Sequence, residues 1–147
     1  MSLIPEKDFA GIMEVLPILC VDVVVQNPKN EYLLIRRANE PLKDQWWVIG
    51  GRVMKGDTLE QAAIRKVREE VGLTISAAIP IGYYEDVSEK NRFGLMSPQH
   101  SVSVVFSAKV EGQEQVKMDN QSSDWKYSDQ LPDKFLIRPL MGMTKRT

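Results

Sequence analysis

Histidine and cysteine are nearly missing from this chain of 147 residues, which carries one of each, His100 and Cys20. A single histidine cannot build a zinc site of the His-rich or Cys-rich kind. A single cysteine cannot close an intrachain disulfide. Lying in the apolar run Ile18-Leu19-Cys20-Val21, it reads as a small buried hydrophobe rather than a nucleophile, in a reducing cytoplasm. An excess of charge is missing too. Nineteen Lys and Arg face 20 Asp and Glu, which argues against a protein that coats nucleic acid or an anionic membrane. Any phosphate recognition must therefore be local. The sequence has no run of ~18 apolar residues that would span a bilayer and no signal-like start. It also lacks internal repeats, low-complexity tracts and linker-like shifts in composition. With 43% hydrophobic residues, residues 1–147 are expected to form one soluble domain around a substantial core, with no nucleic-acid or membrane partner.

What is present reads as strands around one well-marked helix. Pro5 to Met13 suits a short helix with proline in its first turn and Phe9, Ile12 and Met13 turned inward. Leu16 to Gln26 and Glu31 to Arg37 read as a hairpin about Asn27-Pro28-Lys29-Asn30. Trp46 to Ile49 suits a short strand whose two tryptophans face opposite ways. Leu73 to Ala78, Ile81 to Val87 and His100 to Val110 read as extended. Ser88 to Gln99 and Asp119 to Asp124 read as polar loops, and Ser128 to Leu131 and Lys134 to Leu140 as brief helical turns. This pattern predicts an α+β domain with a mixed sheet.

Within that frame, Gly50 to Leu73 concentrates the chemistry. Gly50 and Gly51 are expected to let the backbone turn sharply and approach a ligand. Thr58 caps a helix, with Gln61 completing a capping box and Asp57 placed where the helix dipole favours negative charge. Leu59, Ala62, Ala63, Val67 and Val71 form the buried stripe, and Gly72 ends the helix. Glu69 and Glu70 thus fall in the last turn, the end that prefers cations. Two readings of their compensation stand open. Arg65 and Lys66, each four residues earlier, are placed to pair with them on the surface. Alternatively a divalent cation sits there, since hard carboxylate oxygens suit Mg²⁺ and Mn²⁺.

Other polar residues carry similar pairs of readings. Asp22, flanked by Val21, Val23 and Val24, is either an exposed acid or a buried one that requires a partner such as a substrate hydroxyl. Arg36, Arg37 and Arg52 are surface charge unless both segments border one cleft, where guanidinium forks would match phosphate oxygens.

From Gly51 through Asp57, Arg65 and Lys-Val-Arg-Glu-Glu-Val-Gly-Leu, the spacing resembles the Nudix box of the diphosphate hydrolases. Asp57 and Lys66 stand where that box has glutamate, and a protonated lysine is neither a metal ligand nor a base. The resemblance implies an α/β/α sandwich and extends over nearly the whole chain to the GDP-mannose mannosyl hydrolase branch. It rests on the Phe9 region, Val21-Asp22, Leu33-Leu34 with Arg37, Trp47-Val48, Gly50-Gly51-Arg52-Val53 and Thr58-Leu59-Glu60.

That resemblance implies Mg²⁺, with Mn²⁺ as a substitute, held by the Gly50 carbonyl, Glu70 and Gln121, and by Glu69 as in the wider Nudix box. It implies that Arg37 and Arg52 hold the diphosphate, that Asp22 contacts the sugar and that Arg65 orients a carboxylate. It also allows a homodimer. The chain departs from the branch at three places. Ser122 stands at the catalytic histidine, and Asp86 and Ser101 replace a histidine and a tyrosine.

The expectation is therefore a Mg²⁺-dependent hydrolase of a nucleoside diphosphate sugar, GDP-mannose-like. Cleavage at C–O would use Asp86, Asp119 or Asp124 as base, and cleavage at P–O Glu69 or Glu85. One alternative is a P–O cleaving nucleoside di- or triphosphate pyrophosphohydrolase. A second, favoured by Lys66 and the missing histidine, is a nucleotide-binding module without turnover.

Overall fold

A computed structural model of the chain describes residues 4–39, 42–88, 99–111, 115–118 and 122–136. In chain order the elements are α1 (Glu6–Val15), β1 (Ile18–Gln26), β2 (Tyr32–Arg37), β3 (Trp46–Trp47), β4 (Ile49–Arg52), α2 (Leu59–Val71), β5 (Ile79–Ser88), β6 (Gln99–Lys109), β7 (Ser122–Ser128) and α3 (Asp133–Leu136). The strands form one mixed sheet, with the path β3-β2-β1-β6-β5 and with β4 on β1 and β7 on β2. β1 and β6 run parallel over nine residue pairs, and the other pairings are antiparallel.

The Asn27 side chain makes the hairpin turn by accepting from the backbone N–H groups of Lys29 and Glu31, while Asn30 takes the left-handed conformation. β1 and β2 then meet at Gln26 and Tyr32 and separate. The segment 46–52 wedges into the gap, pairing first with β2 through Trp46 and Trp47, then with β1 through Ile49 to Arg52. This crossover fixes where the glycines lie.

Period-2 alternation divides β1 between two cores. Val21, Val23 and Val25 are fully buried against Ala62, Ala63, Val67 and Val71 of α2. Val24, on the opposite face, joins Trp47, Val48, Tyr84, Val105 and Phe135. Phe135 brings α3 onto that face by meeting Trp47 edge-on at 5.4 Å and Tyr84 at 6.3 Å. Phe9 and Met13 of α1 pack with Ile18 and Cys20 on the same side. Helices on both faces of a mixed sheet give the expected α+β sandwich.

Several local expectations need correction. Residues 73–78 form no strand: Leu73, Ile75 and Ala78 close the α2-side core, and the Ala78 N–H donates to the Glu60 carboxylate at 3.3 Å instead of joining a ladder. Ser122 to Asp124 belong to β7 because β2 offers them an open edge. Residues 129–130 bend rather than coil, with Ser128 Oγ donating to the Gln130 carbonyl. Trp46 does not face away from the core holding Trp47. It packs at that core's margin, with Lys126 Nζ 4.4 Å above its ring. The expected loop at 88–99 and the helical turn at 134–140 lie largely outside the described residues.

Candidate active site

α2 begins and ends as its sequence dictates. Thr58 Oγ1 accepts from the Gln61 N–H at 3.1 Å, and Gln61 Oε1 accepts from the Thr58 N–H at 2.9 Å. Gly72 closes the helix in the left-handed region at φ 69°. On the helix face turned toward β4, Arg65 ties three groups together. It donates to Asp57 Oδ2 at 3.1–3.2 Å, to both Glu69 oxygens at 3.3 Å and to the Arg52 carbonyl at 3.1 Å. Lys66 Nζ lies 3.3 Å from Glu70 Oε1 and 3.5 Å from Glu69 Oε2. Glu70 is buried at 5% exposure, whereas the Glu69 side chain is 44% exposed. The four-residue pairs expected in the sequence form, but only Glu69 makes its pair at the surface; Glu70 is buried with Lys66, which bridges both carboxylates.

Gly50 and Gly51 lie in regular β4 and make no sharp turn. Glycine is needed there for a different reason. A Cβ on Gly50 would collide with the Asp22 carboxylate and lie 2.7 Å from the Val21 carbonyl. On Gly51 it would collide with the Lys66 stem, 2.9 Å from Cδ and 3.0 Å from Nζ. The glycine step thus separates two polar groups on opposite faces of the sheet while letting both come close to β4.

On the α1 side, Asp22 is buried at 6% exposure and accepts a short hydrogen bond from Tyr84 Oη. The question left by the sequence is settled in favour of a buried acid, and its partner is a tyrosine 62 residues away. Arg52 lays its guanidinium 4.0 Å above the Phe9 ring. Cys20, partly buried, has its thiol pKa pushed up from 9.0 to about 12. Burial is the largest cause; Asp22 adds to it, and Arg52, Arg37 and Lys66 pull against it. Arg52 stands directly opposite Cys20 across the β1–β4 pairing, and Asp22 follows on the same face of β1.

Arg36 does not join them, because its strand position turns it outward, where Nε donates to the Asp44 carbonyl at 3.3 Å. Arg37 pairs across the β2–β7 ladder with Ser122, next to a register shift. Ser122 is buried at 6% exposure, and its Oγ finds no hydrogen-bond partner among the described residues. Asp86 and Ser101 stand directly opposite one another on β5 and β6. Glu85 is exposed and 4.0 Å from His100 Nε2. Asp124 is exposed on β7, with its carboxylate accepting from the Trp125 N–H. Gln121 and Asp119 lie outside the described residues. Sequence reasoning missed Tyr84, since nothing local distinguishes it from the neighbouring Tyr83.

A divalent cation suits the donors of α2. They are hard carboxylate oxygens, and the space between Glu69 and Glu70 already holds a positive group, Lys66 Nζ. Among the described residues no three acidic, histidine or cysteine side chains gather about one point. Further ligands would have to come from the Gly50 carbonyl, from Gln121 or from a substrate's phosphate oxygens. No described helix is long and apolar enough to cross a membrane.

Comparison with known proteins places this arrangement. The chain is 28% identical over 123 residues to the low-salt glycan biosynthesis protein Agl8 of Haloferax volcanii, covering 84% of this chain and 78% of that protein. It is 34% identical over 98 residues to an ADP-ribose pyrophosphatase of Methanocaldococcus jannaschii, covering 67% of this chain and 54% of that protein. Its fold superimposes on a MutT NUDIX hydrolase from Burkholderia pseudomallei with a TM-score of 0.67 at 21% identity, over 86% of this chain and 91% of the other. Residues 16–134 match the model of the NUDIX domain. With its capped helix, paired carboxylates and helix-flanked mixed sheet, the chain belongs to the Nudix hydrolase family.

Proposed function

We propose that this protein hydrolyses a nucleoside diphosphate sugar, GDP-mannose-like, with Mg²⁺ or Mn²⁺ as cofactor. The observation that carries this reading is the placement of Arg52, opposite Cys20 on neighbouring strands, and of buried Asp22, held by Tyr84, on the sheet face opposite the carboxylates of α2. Two guanidinium forks match a diphosphate bidentately. A buried carboxylate held by Tyr84 is a rigid acceptor for a sugar hydroxyl. Glu69, Glu70, the Gly50 carbonyl and Gln121 would hold the metal, which when bound supplies further positive charge against that developing on the diphosphate.

The chain's own part in the reaction follows from its charges. Arg37 and Arg52 neutralise the leaving diphosphate, and Arg52 does so without having to reorganise, since it is already braced on Phe9. Arg65 fixes the Glu69 carboxylate through two hydrogen bonds. Attack at the sugar carbon uses Asp86, Asp119 or Asp124 to take the proton from water, because Ser122 has no base strength near neutral pH. The same reading has the protein acting in the cytoplasm as a homodimer, checked by sedimentation velocity.

A second reading, P–O cleavage of a nucleoside diphosphate compound, is favoured by Glu69 and by the absence of an imidazole at position 122. The relative named ADP-ribose pyrophosphatase supports it as well. Hydrolysis of a nucleotide-sugar panel in ¹⁸O water with Mg²⁺ separates the two. Label in the free sugar indicates attack at carbon, and label in a nucleoside monophosphate or sugar phosphate indicates attack at phosphorus. Saturable binding without turnover across the panel would leave only a nucleotide-binding module.

A further inference from the structure

Lys66, like Arg65, carries a charge that opposes what the α2 cluster is expected to bind, and it alone of the two contacts both Glu69 and Glu70 in the described ion pairs. Its place is built rather than incidental. The stem crosses β4 where Gly51 leaves room for it, since any Cβ there would collide with the side chain. The Lys66 side chain is 14% exposed, and the ammonium contacts both Glu69 and Glu70. Arg65 is already engaged with Asp57, the Arg52 carbonyl and Glu69. Lys66 thus places a positive charge directly against Glu70.

We propose that Lys66 is a resident cation of this site, neutralising Glu69 and Glu70 in the resting protein and competing with divalent metal for them. Free metal then binds weakly. Metal that arrives with a diphosphate binds better, because phosphate oxygens complete its coordination and give the displaced ammonium a new partner. Lysine suits this exchange, being a compact charge with three donors on a flexible stem, and Mg²⁺ ordinarily keeps one or two protein carboxylates and shares substrate phosphates. The inference rests on the diphosphate reading given above and adds to it an order of events: substrate recruits the metal.

The test is Mn²⁺ binding to the full chain without nucleotide, followed by electron paramagnetic resonance, for wild type, Lys66→Met and Lys66→Glu. Removing the ammonium should tighten Mn²⁺ binding about tenfold, and adding a third carboxylate should tighten it further, since affinity for hard cations rises with ligand charge. Gly51→Ala provides a second route that leaves Lys66 in the chain. By pushing the stem aside it should tighten Mn²⁺ binding in the wild-type background and change nothing in Lys66→Met. Circular dichroism identifies any variant that has failed to fold, and Gly51→Ala carries the test if Lys66→Met is one of these. Equal Mn²⁺ affinity in wild type and the folded variants, whether tight or undetectable, overturns the proposal. Failure of the diphosphate reading would show separately, as no turnover of any nucleotide sugar at saturating Mg²⁺, with the Mn²⁺ series unaffected.

Discussion

The two faces of the sheet at β4 handle charge in opposite ways. On the α2 face, Arg65, Lys66, Glu69 and Glu70 neutralise one another within two helical turns, and Glu69 remains open to water. On the α1 side, Asp22 and Arg52 sit among apolar groups and depend on residues far away in sequence, Asp22 on Tyr84 and Arg52 on Phe9. The first arrangement follows from helical spacing, with partners three and four residues apart, and leaves Glu69 adjustable at the surface while Glu70 is buried. The second is assembled by four separate elements and costs more to disturb, because a buried polar group stripped of its partner loses its solvation as well. The flexible face suits an exchangeable cation and the rigid one suits recognition.

The largest effect should come from Glu70→Gln, which removes the buried carboxylate of the flexible face while keeping its volume. Turnover of a nucleotide sugar should fall by ~10²-fold or more, the scale for losing one preorganised charge in a site, with the circular dichroism spectrum retained. A variant with wild-type rate and metal dependence would remove α2 from the chemistry. Next, Arg37→Ala and Arg52→Ala should each lower kcat/KM by an amount equivalent to ~1.5–3 kcal/mol, the worth of a hydrogen bond to a charged group. Unchanged kinetics in both would remove the two arginines from recognition.

Stability measurements sharpen the same contrast. Tyr84→Phe should destabilise the fold by ~1–3 kcal/mol in urea unfolding by taking a donor from buried Asp22. Glu69→Gln, on the exposed side, should cost no more than ~1 kcal/mol. Equal costs would mean that the two faces do not differ in rigidity. The smallest effect concerns Cys20. Its folded pKa is raised, so the native state holds its proton more tightly than the unfolded chain does. The stabilisation is complete below pH 9 and is lost as pH rises from 9 toward about 12. At pH 10 the wild type should have lost about 1 kcal/mol relative to Cys20→Ala, and Ellman's reagent should label native Cys20 slowly at pH 8. Fast labelling would show that the thiol is not withdrawn from water.

Much of α2 was legible because its determinants are local. The cap, the buried stripe, the terminal glycine and the four-residue ion pairs are all set within a few residues, and each appears, with Glu70 buried instead of on the surface. The hairpin at Asn27 to Asn30 was legible for the same reason. The two glycines were recognised as special, but for a reason the structure replaces. The sequence suggests a sharp turn and a close approach to a ligand, whereas the structure shows a close approach to Asp22 of β1 and to the Lys66 stem of α2. The stretch 73–78 alternates like a strand, yet its apolar residues fill the end of a core instead. Arg36, Arg37 and Arg52 looked alike in sequence, and strand direction removed Arg36 from the group.

What the sequence determined by itself was the helix that bears the carboxylates, its start and end, and the family to which that helix belongs, because helical capping, periodicity and ion pairing act over three to eight residues. What only the tertiary structure decided was which polar residues meet. Tyr84 reaches Asp22 across the sheet, Phe9 braces Arg52, and Gly51 opens the place where Lys66 stands between two carboxylates, since those contacts depend on strand order and on a crossover that no local spacing encodes.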